Sequence, residues 1–223
     1  MPNVSSLIIQ YANEIRSQDV PLFRGAVIAS MEKKNVLLHN HEDNRLRYSY
    51  PLIQYKCIHK KAAVMGVGKG VEVISQILTA QNFNYKIGHE QLEMKIESVN
   101  AFENEILLSE GIFYQYRLHN WLPLNSGNYK KYQNSGNMVE RVMMLERVLT
   151  GNILSLLKGL DIHLEEKLEL NITDIKGQHI IKYKDVGRMA FDIEFKANMI
   201  LPQYIGIGKS ASVGYGMLTI IAN

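Results

Sequence analysis

The order of strand-like and helix-like segments restricts the fold of this chain more than any other feature. Apolar residues alternate with period two in residues 50–58 and 62–67, which predicts a hairpin. Pro21 suits the first turn of a helix because its missing N–H would be unpaired there anyway. That helix is predicted to end near residue 33, a second helix covers residues 68–80, and further strands cover residues 6–11, 83–87 and 92–99. The order βαββαβ is that of a ferredoxin-like unit, in which two helices cover one sheet face.

A second unit of the same kind follows. The predicted strands cover residues 112–118, 167–175, 179–183, 189–199 and 217–221, with a long helix at residues 138–160 and a polar loop at residues 125–137. The short interval between the last two strands leaves the second crossover helix missing or reduced. The sequence therefore predicts an α+β protein with two tandem ferredoxin-like (RRM-like) domains, 1–110 and 111–223, of which the second has a reduced second helix.

Composition excludes several classes of protein. No apolar run approaches the ~18 residues that span a bilayer, and the N-terminus lacks the features of a signal peptide. We therefore expect a cytoplasmic protein with no membrane partner. Cys57 is the only cysteine, so one chain offers neither a disulfide nor a thiolate metal site. The net charge is +3, but residues 24–61 hold eight basic and three acidic residues, a local surplus of +5. Such a surplus beside two histidines is typical of a nucleic-acid site, and a solvated surface is the alternative interpretation.

Two glycine pairs lie near the C-terminus. Gly206 and Gly208 flank one apolar residue, Gly214 and Gly216 flank Tyr215, and five residues separate the pairs. Such glycines let backbone N–H groups approach a phosphate that a Cβ would exclude. A P-loop would require glycine at position 203, and a dinucleotide fingerprint opens a βαβ unit of about 30 residues, for which no room remains. A glycine-rich hairpin that only joins two strands is the alternative.

The glycine pairs resemble the C-terminal glycine-rich loop of the RAMP superfamily, the repeat-associated RNA-binding proteins of CRISPR systems. Residues 21–28, 37–41 and 48–56 resemble the N-terminal half of CRISPR RNA-processing endoribonucleases, in the branch with an HxH pair before a Tyr-rich strand. The resemblance covers most of the 223 residues. It implies CRISPR repeat RNA as the partner, and cleavage within the repeat to leave a 2′,3′-cyclic phosphate and a 5′-OH. Other CRISPR effector subunits and a homodimer remain open as partners.

The HxH pair suits RNA cleavage without a metal. In that chemistry the 2′-OH attacks the neighbouring phosphate, so the enzyme must move two protons and stabilise the charge that develops. Histidine can serve both transfers because its unperturbed pKa is about 6.5. His39 and His41 point the same way if their segment is extended. The resemblance implies His41 as principal acid or base, Tyr48 as a partner that positions the 2′-OH, and His39 as an assisting group, with no cofactor.

Basic residues and the glycine pairs are the predicted RNA-binding groups. The family often adds a lysine beside the phosphate, and the matching residue in this sequence is ambiguous. The candidates for RNA binding are Lys33, Lys34, Arg45, Arg47, Gly206, Gly208, Lys209, Gly214 and Gly216. Residues 39–47 as a whole are predicted to form a polar loop.

Three other functions remain open at this stage. RAMP proteins share this fold and loop without cutting RNA, so a non-catalytic RNA-binding subunit of an effector complex is the principal alternative. A metal-dependent nuclease would need a third ligand beside the two histidines, for which only Glu42 and Asp43 are near. An RRM-like single-strand binder lacks the expected RNP1 pattern, and only 9% of the residues are aromatic.

Overall fold

The computed structural model describes residues 3–31, 41–42, 45–46, 50–79, 83–183 and 186–221, with the backbone alone at residues 41, 42, 45, 46 and 183. These residues form two compact units. The N-terminal unit holds Asn3–Asn104 together with Ser212–Gly214, and the C-terminal unit holds Glu105–Ala211 and the chain from Tyr215 onward. No helix in the described part of the chain is long and apolar enough to cross a bilayer.

The N-terminal unit is a ferredoxin-like sheet with two helices. Its sheet has the order β4-β5-β1-β8, and β2-β3 and β6-β7 form separate two-stranded pairs. The strands are β1 Asn3–Glu14, β2 His41–Glu42, β3 Arg45–Leu46, β4 Ile53–Ile58, β5 Lys61–Val67, β6 Asn84–Ile87, β7 Glu90–Glu93 and β8 Ile96–Glu105. The helices are α1 Val20–Ser30, after a 3-10 turn at Ser17–Asp19, and α2 Gly70–Ser75, which continues as a 3-10 turn at Gln76–Thr79.

The C-terminal unit repeats this arrangement with one helical position altered. Its sheet has the order β10-β11-β9-β12, which matches the first sheet strand for strand. The elements are β9 Tyr114–Trp121, α3 Ser126–Asn134, α4 Met138–Gly159, β10 Leu170–Tyr183, β11 Val186–Ala197, a 3-10 turn at Ala211–Val213 and β12 Met217–Ile220. The predicted fold class is confirmed, including the reduced second helix.

Aromatic and aliphatic side chains fill the helix-covered side of each sheet. In the N-terminal unit Phe23 of α1 packs edge-on against Tyr11 and Tyr55, with ring centroids 5.7 and 6.1 Å apart. In the C-terminal unit one stripe of α4 is buried. The stripe consists of Leu145, Leu149, Ile153, Leu156 and Leu157. Since the helices cover one face of each sheet, the opposite, helix-free face is the one left for polar groups.

The prediction of a loop at residues 125–137 is wrong, because residues 126–134 form α3. The Asn125 side chain caps this helix by accepting a hydrogen bond from the Asn128 N–H over 2.8 Å. Tyr132 is buried and packs edge-on against Phe191, with centroids 5.6 Å apart. Tyr132 is the buried residue of this otherwise exposed or half-buried helix, so the average polarity of the segment could not reveal it.

Other segment boundaries are corrected as well. The strand predicted at residues 92–99 is divided between β7 and β8, and the two strands predicted at 167–175 and 179–183 are one bulged strand, β10. The helix predicted over 68–80 ends its α-helical part at Ser75. Within the predicted polar loop 39–47, His41–Glu42 and Arg45–Leu46 are paired strands.

Candidate functional site

The predicted catalytic segment is described only in part. Strands β2 and β3 pair His41 with Leu46 and Glu42 with Arg45, so the backbone at His41 is extended. His39, Tyr48, Lys33, Lys34 and Arg47 lie outside the described residues, and the side chains of His41 and Arg45 are not described. The roles assigned to these residues remain predictions.

Residues 206–216, which we call the glycine-rich loop, lie between two hydrogen-bonded chain segments. The N–H of Ile207 donates to the carbonyl of Gly216 over 2.7 Å, and Gly206 forms an antiparallel bridge with Met217. The N–H of Leu218 donates to the carbonyl of Ile205 over 2.9 Å. The loop is therefore closed at its base by a short ladder that joins it to β12.

Packing inside the protein requires glycine at two loop positions. Gly208 has φ +87°, and a Cβ there would lie 2.6 Å from Asn152 Oδ1 and 2.9 Å from Trp121 Nε1. Gly216 has φ +62°, and a Cβ there would lie 2.0 Å from the carbonyl oxygen of Ile207. Both positions combine a left-handed backbone with close contact, so a side chain would disturb the fold. The glycine spacing predicts close approach of RNA at these positions, but the packing requirement cannot be read from the sequence.

Gly214 also has a left-handed backbone, with φ +89°. A Cβ at this position would make ordinary contacts within the N-terminal unit, 3.4 Å from the carbonyl oxygen of Tyr55 and 3.7 Å from Val20 Cγ1. The space is sufficient for a methyl group. Backbone conformation, rather than lack of room, therefore favours glycine at this position.

Lys209 presents a cation on the loop. Burial of part of this exposed side chain and the nearby Arg188 guanidinium lower the pKa of Lys209. A neighbouring cation disfavours the charge on Lys209, and an anion bound here would offset that repulsion. Arg188 belongs to β11 and was not identified from the sequence, where it is a single basic residue in a strand.

A bulge at the end of β9 adjoins the loop. From Leu118 to Trp121 strand β9 advances three residues, whereas β11 advances two, from Ile193 back to Phe191. Asn120 occupies the bulge with φ +50°. Its carbonyl accepts a hydrogen bond from the N–H of Gly216 over 3.2 Å. No sequence signal marked this residue apart from the general tolerance of asparagine for positive φ.

Three polar side chains surround this bulge. Asp192 Oδ1 accepts a hydrogen bond from the Asn120 N–H over 2.8 Å, and His179 Nε2 donates to Asn120 Oδ1 over 2.9 Å. The neighbouring His119 contacts Thr219 Oγ1 through Nε2 over 3.0 Å, and burial lowers its pKa. Neither histidine belongs to a motif that could be recognised in the sequence.

Lys56 is a basic residue that lies inside the protein and not on its surface. Lys56 contributes to the basic surplus of residues 24–61, but its side chain is completely buried on β4. Its Nζ has no hydrogen-bond partner among the described residues, and burial lowers its pKa to about 7. Lys56 therefore adds no cation to the protein surface, and the surplus overstates the surface charge.

Comparison with known proteins agrees with this architecture. A family model of the Cas6b N-terminal domain matches residues 3–105, and a model of the Cas6b C-terminal domain matches residues 108–221. The chain belongs to the Cas6b family. The resemblance to CRISPR-associated RAMP proteins that was found in the sequence is thereby confirmed.

Solved structures of Cas6b resemble this chain over its whole length. One is 29% identical with a TM-score of 0.86, and the superposition covers 99% of this chain and all of that one. Another, described as the CRISPR RNA-processing endoribonuclease Cas6b, is 26% identical with a TM-score of 0.75 and the same coverage. An uncharacterized protein of Methanocaldococcus jannaschii is 33% identical over 132 residues, which are 59% of this chain and 84% of that protein.

Proposed function

We propose that this chain is an endoribonuclease that processes CRISPR repeat RNA without a metal ion, by attack of the 2′-OH on the neighbouring phosphate. The observation that carries the proposal is the match of both halves to Cas6b domain models, together with the likeness to a Cas6b structure described as a CRISPR RNA-processing endoribonuclease. The products are a 2′,3′-cyclic phosphate and a 5′-OH.

In this mechanism His41 transfers a proton in the transition state. Tyr48 orients the 2′-OH or donates a hydrogen bond to the phosphate, because a phenol of unperturbed pKa near 10 stays protonated at neutral pH. His39 assists His41. Arg45, Arg47, Lys33 and Lys34 are the candidates for stabilising charge on the phosphate.

The glycine-rich loop holds the RNA backbone in this proposal. Lys209 is exposed on the loop, and the proximity of Arg188 makes this position attractive to an anion. The contribution is ionic and independent of base identity, so it adds affinity rather than sequence specificity.

Cleavage of the repeat RNA in EDTA tests the proposal. Under single-turnover conditions, we expect His41→Ala to slow cleavage by about 10²- to 10⁴-fold while RNA affinity changes only a few fold, because a proton transfer acts mainly in the transition state. Tyr48→Phe should cost less, and His39→Ala should fall between them. His89, an exposed histidine in the turn between β6 and β7, supplies the control: His89→Ala should keep the full rate.

A repeat RNA with a 2′-deoxy substitution at the scissile nucleotide is the substrate control. It should bind and resist cleavage, because the internal nucleophile is absent. Cleavage of this RNA at the normal rate, or dependence of cleavage on a divalent metal, would contradict the mechanism. Tight binding without cleavage of any repeat RNA would favour the non-catalytic RAMP subunit instead.

A further inference from the structure

The bulge of β9 holds a residue in an unfavourable conformation. Asn120 has φ +50°, a region that costs a residue with a side chain on the order of 1 kcal/mol. Bulges occur often beside functional sites, where they redirect a strand end. A strained residue persists only where its surroundings hold it, so its neighbours indicate what the strain serves.

Asp192 is the residue that holds Asn120 by its backbone. Its Oδ1 accepts the Asn120 N–H at 2.8 Å, an amide that the bulge leaves without a strand partner. Gly177 on β10 leaves room for this carboxylate, because a Cβ at position 177 would lie 3.2 Å from Asp192 Oδ2. His179 fixes the Asn120 side chain from the other side, with Nε2 and Oδ1 2.9 Å apart. Backbone and side chain of Asn120 are thus both determined by β10 and β11.

The fixed dipeptide Asn120-Trp121 supports the glycine-rich loop at two points. The Asn120 carbonyl accepts the N–H of Gly216 at 3.2 Å. Trp121 Nε1 donates to Asn152 Oδ1 at 3.0 Å, and Gly208 lies against this pair so closely that a Cβ would overlap it. The second glycine of each pair therefore rests on the same two residues of β9.

We propose that Asp192 is a positioning residue for RNA: by holding Asn120 in its left-handed conformation, it fixes the backbone of the glycine-rich loop in the arrangement that binds the RNA phosphates. The inference rests on the proposed function. Asp192 does not contact RNA in this scheme, and its negative charge by itself repels phosphate. Removal of the Asp192 carboxylate should tighten RNA binding if this group acts only by repelling phosphate. It should weaken RNA binding if Asp192 positions the glycine-rich loop.

The test measures the affinity of the purified full chain for the 2′-deoxy repeat RNA at fixed salt. Asp192→Ala removes the acceptor, and we expect the Kd to rise by about 5- to 20-fold, as for a lost hydrogen bond that also loosens the loop. Asp192→Asn keeps an acceptor oxygen and should restore affinity to within about threefold. Glu194→Gln is the charge control: it lies two residues away on β11, pairs with Arg117 and Lys176, and should leave binding unchanged or tighter.

A second comparison separates positioning from general destabilisation. Glycine adopts positive φ without strain, so a protein that carries Asn120→Gly does not need the hydrogen bond to Asp192 to keep this conformation. There we expect Asp192→Ala to change the Kd by less than about threefold, a coupling that a purely structural role would not produce. If Asp192→Ala alone fails to fold, the RNA affinities of Asn120→Gly and of the double variant Asn120→Gly/Asp192→Ala still provide the test.

The outcomes are distinct. If wild type does not bind repeat RNA, the proposed function fails and the positioning role fails with it. If wild type binds and Asp192→Ala binds as tightly or more tightly, only the positioning role is overturned. The positioning role is also overturned if Asp192→Ala weakens binding equally with Asn120 and with glycine at position 120.

Discussion

The two sheets share one strand order, but they differ in the element that follows β5 in the N-terminal unit and β11 in the C-terminal unit. In the N-terminal unit β5 leads into α2. Gly70 allows this helix to pack closely, because a Cβ at Gly70 would lie 2.2 Å from the carbonyl oxygen of Leu52. In the C-terminal unit the chain after β11 forms the glycine-rich loop, and Gly208 and Gly216 allow equally close packing. Glycine serves helix packing in one unit and loop packing in the other. A repeated topology can therefore keep its requirement for glycine while exchanging the element that glycine accommodates.

The helix-free faces of the two sheets carry basic side chains that differ in exposure to solvent. On β4, Tyr55 packs against α1, so the alternating Gln54 and Lys56 lie on the helix-free face, and both are completely buried. In the C-terminal unit the same face carries Arg117 and Lys176, which are partly exposed and pair with Glu194. Lys56 is therefore desolvated, whereas Arg117 and Lys176 remain in contact with solvent.

The largest effect that bears on this comparison is expected from Gly216→Ala. The new Cβ would overlap the Ile207 carbonyl, with 2.0 Å between them, at a residue with positive φ. We expect the free energy of unfolding to fall by about 4 kcal/mol or more. Urea denaturation measures the change.

The matched control is Gly151→Ala on α4. A Cβ at this position meets no atom within 4 Å, so the substitution should stabilise the helix by about 0.5–1 kcal/mol. Equal stability of the Gly216→Ala variant and wild type would show that the loop is not packed as described.

Lys56→Met should stabilise the protein, in a manner that depends on pH. Burial lowers the Lys56 pKa from 10.5 to about 7, so between these pH values the unfolded chain binds a proton that the folded protein does not. The free energy of unfolding of wild type therefore rises with pH across this window. The variant should be more stable by roughly 2 to 4 kcal/mol at pH 7, and the difference should vanish near pH 10.5.

Denaturant titrations at several pH values measure this difference. Lys95→Met, at an exposed lysine between β7 and β8, is the control and should show no such trend. A constant difference between Lys56→Met and wild type from pH 7 to pH 10.5 would contradict the account of Lys56.

The smallest effect concerns the salt dependence of RNA binding. Loss of one phosphate contact in Lys209→Ala should reduce the slope of log affinity against log salt by about 0.7, the value for a single strand. Lys56→Met should leave the slope unchanged, because this residue is buried. Equal slopes for wild type and Lys209→Ala would remove Lys209 from the binding surface.

Most of the fold could be predicted because strand and helix patterns act locally. The hairpin of β4 and β5 and the helix α4 follow from periodicity alone, and the register of that hairpin is continuous from Ile53 to Ile58. The helix α3 could not be predicted, since it depends on burial of Tyr132 against Phe191, a contact between residues 59 positions apart. Tertiary contacts of this kind override local propensity.

Candidate site residues could be named only where residue type carries the chemistry. Histidine pairs and glycine pairs can be read from the sequence, whereas the packing that requires glycine at positions 208 and 216 cannot. Their role in RNA binding stays a prediction. Asn120 and Asp192 are ordinary residues in the sequence, and they gain importance from a bulge that exists only when β9 pairs with β11. Lys56 reads as one more surface cation until β4 is seen to be buried on both faces.

Ser212–Gly214 belong by their contacts to the N-terminal unit, although the chain on both sides belongs to the C-terminal unit. From residue 3 to residue 221 the described chain thus passes from one unit to the other three times, and no single cut separates them. Recombination that replaces one half of the gene with that of a distant relative would bring a foreign segment 212–214 against Val20 and Tyr55. The halves are therefore expected to be inherited together, and substitutions in this tripeptide should covary with those at positions 20 and 55 and not with those in the rest of the glycine-rich loop.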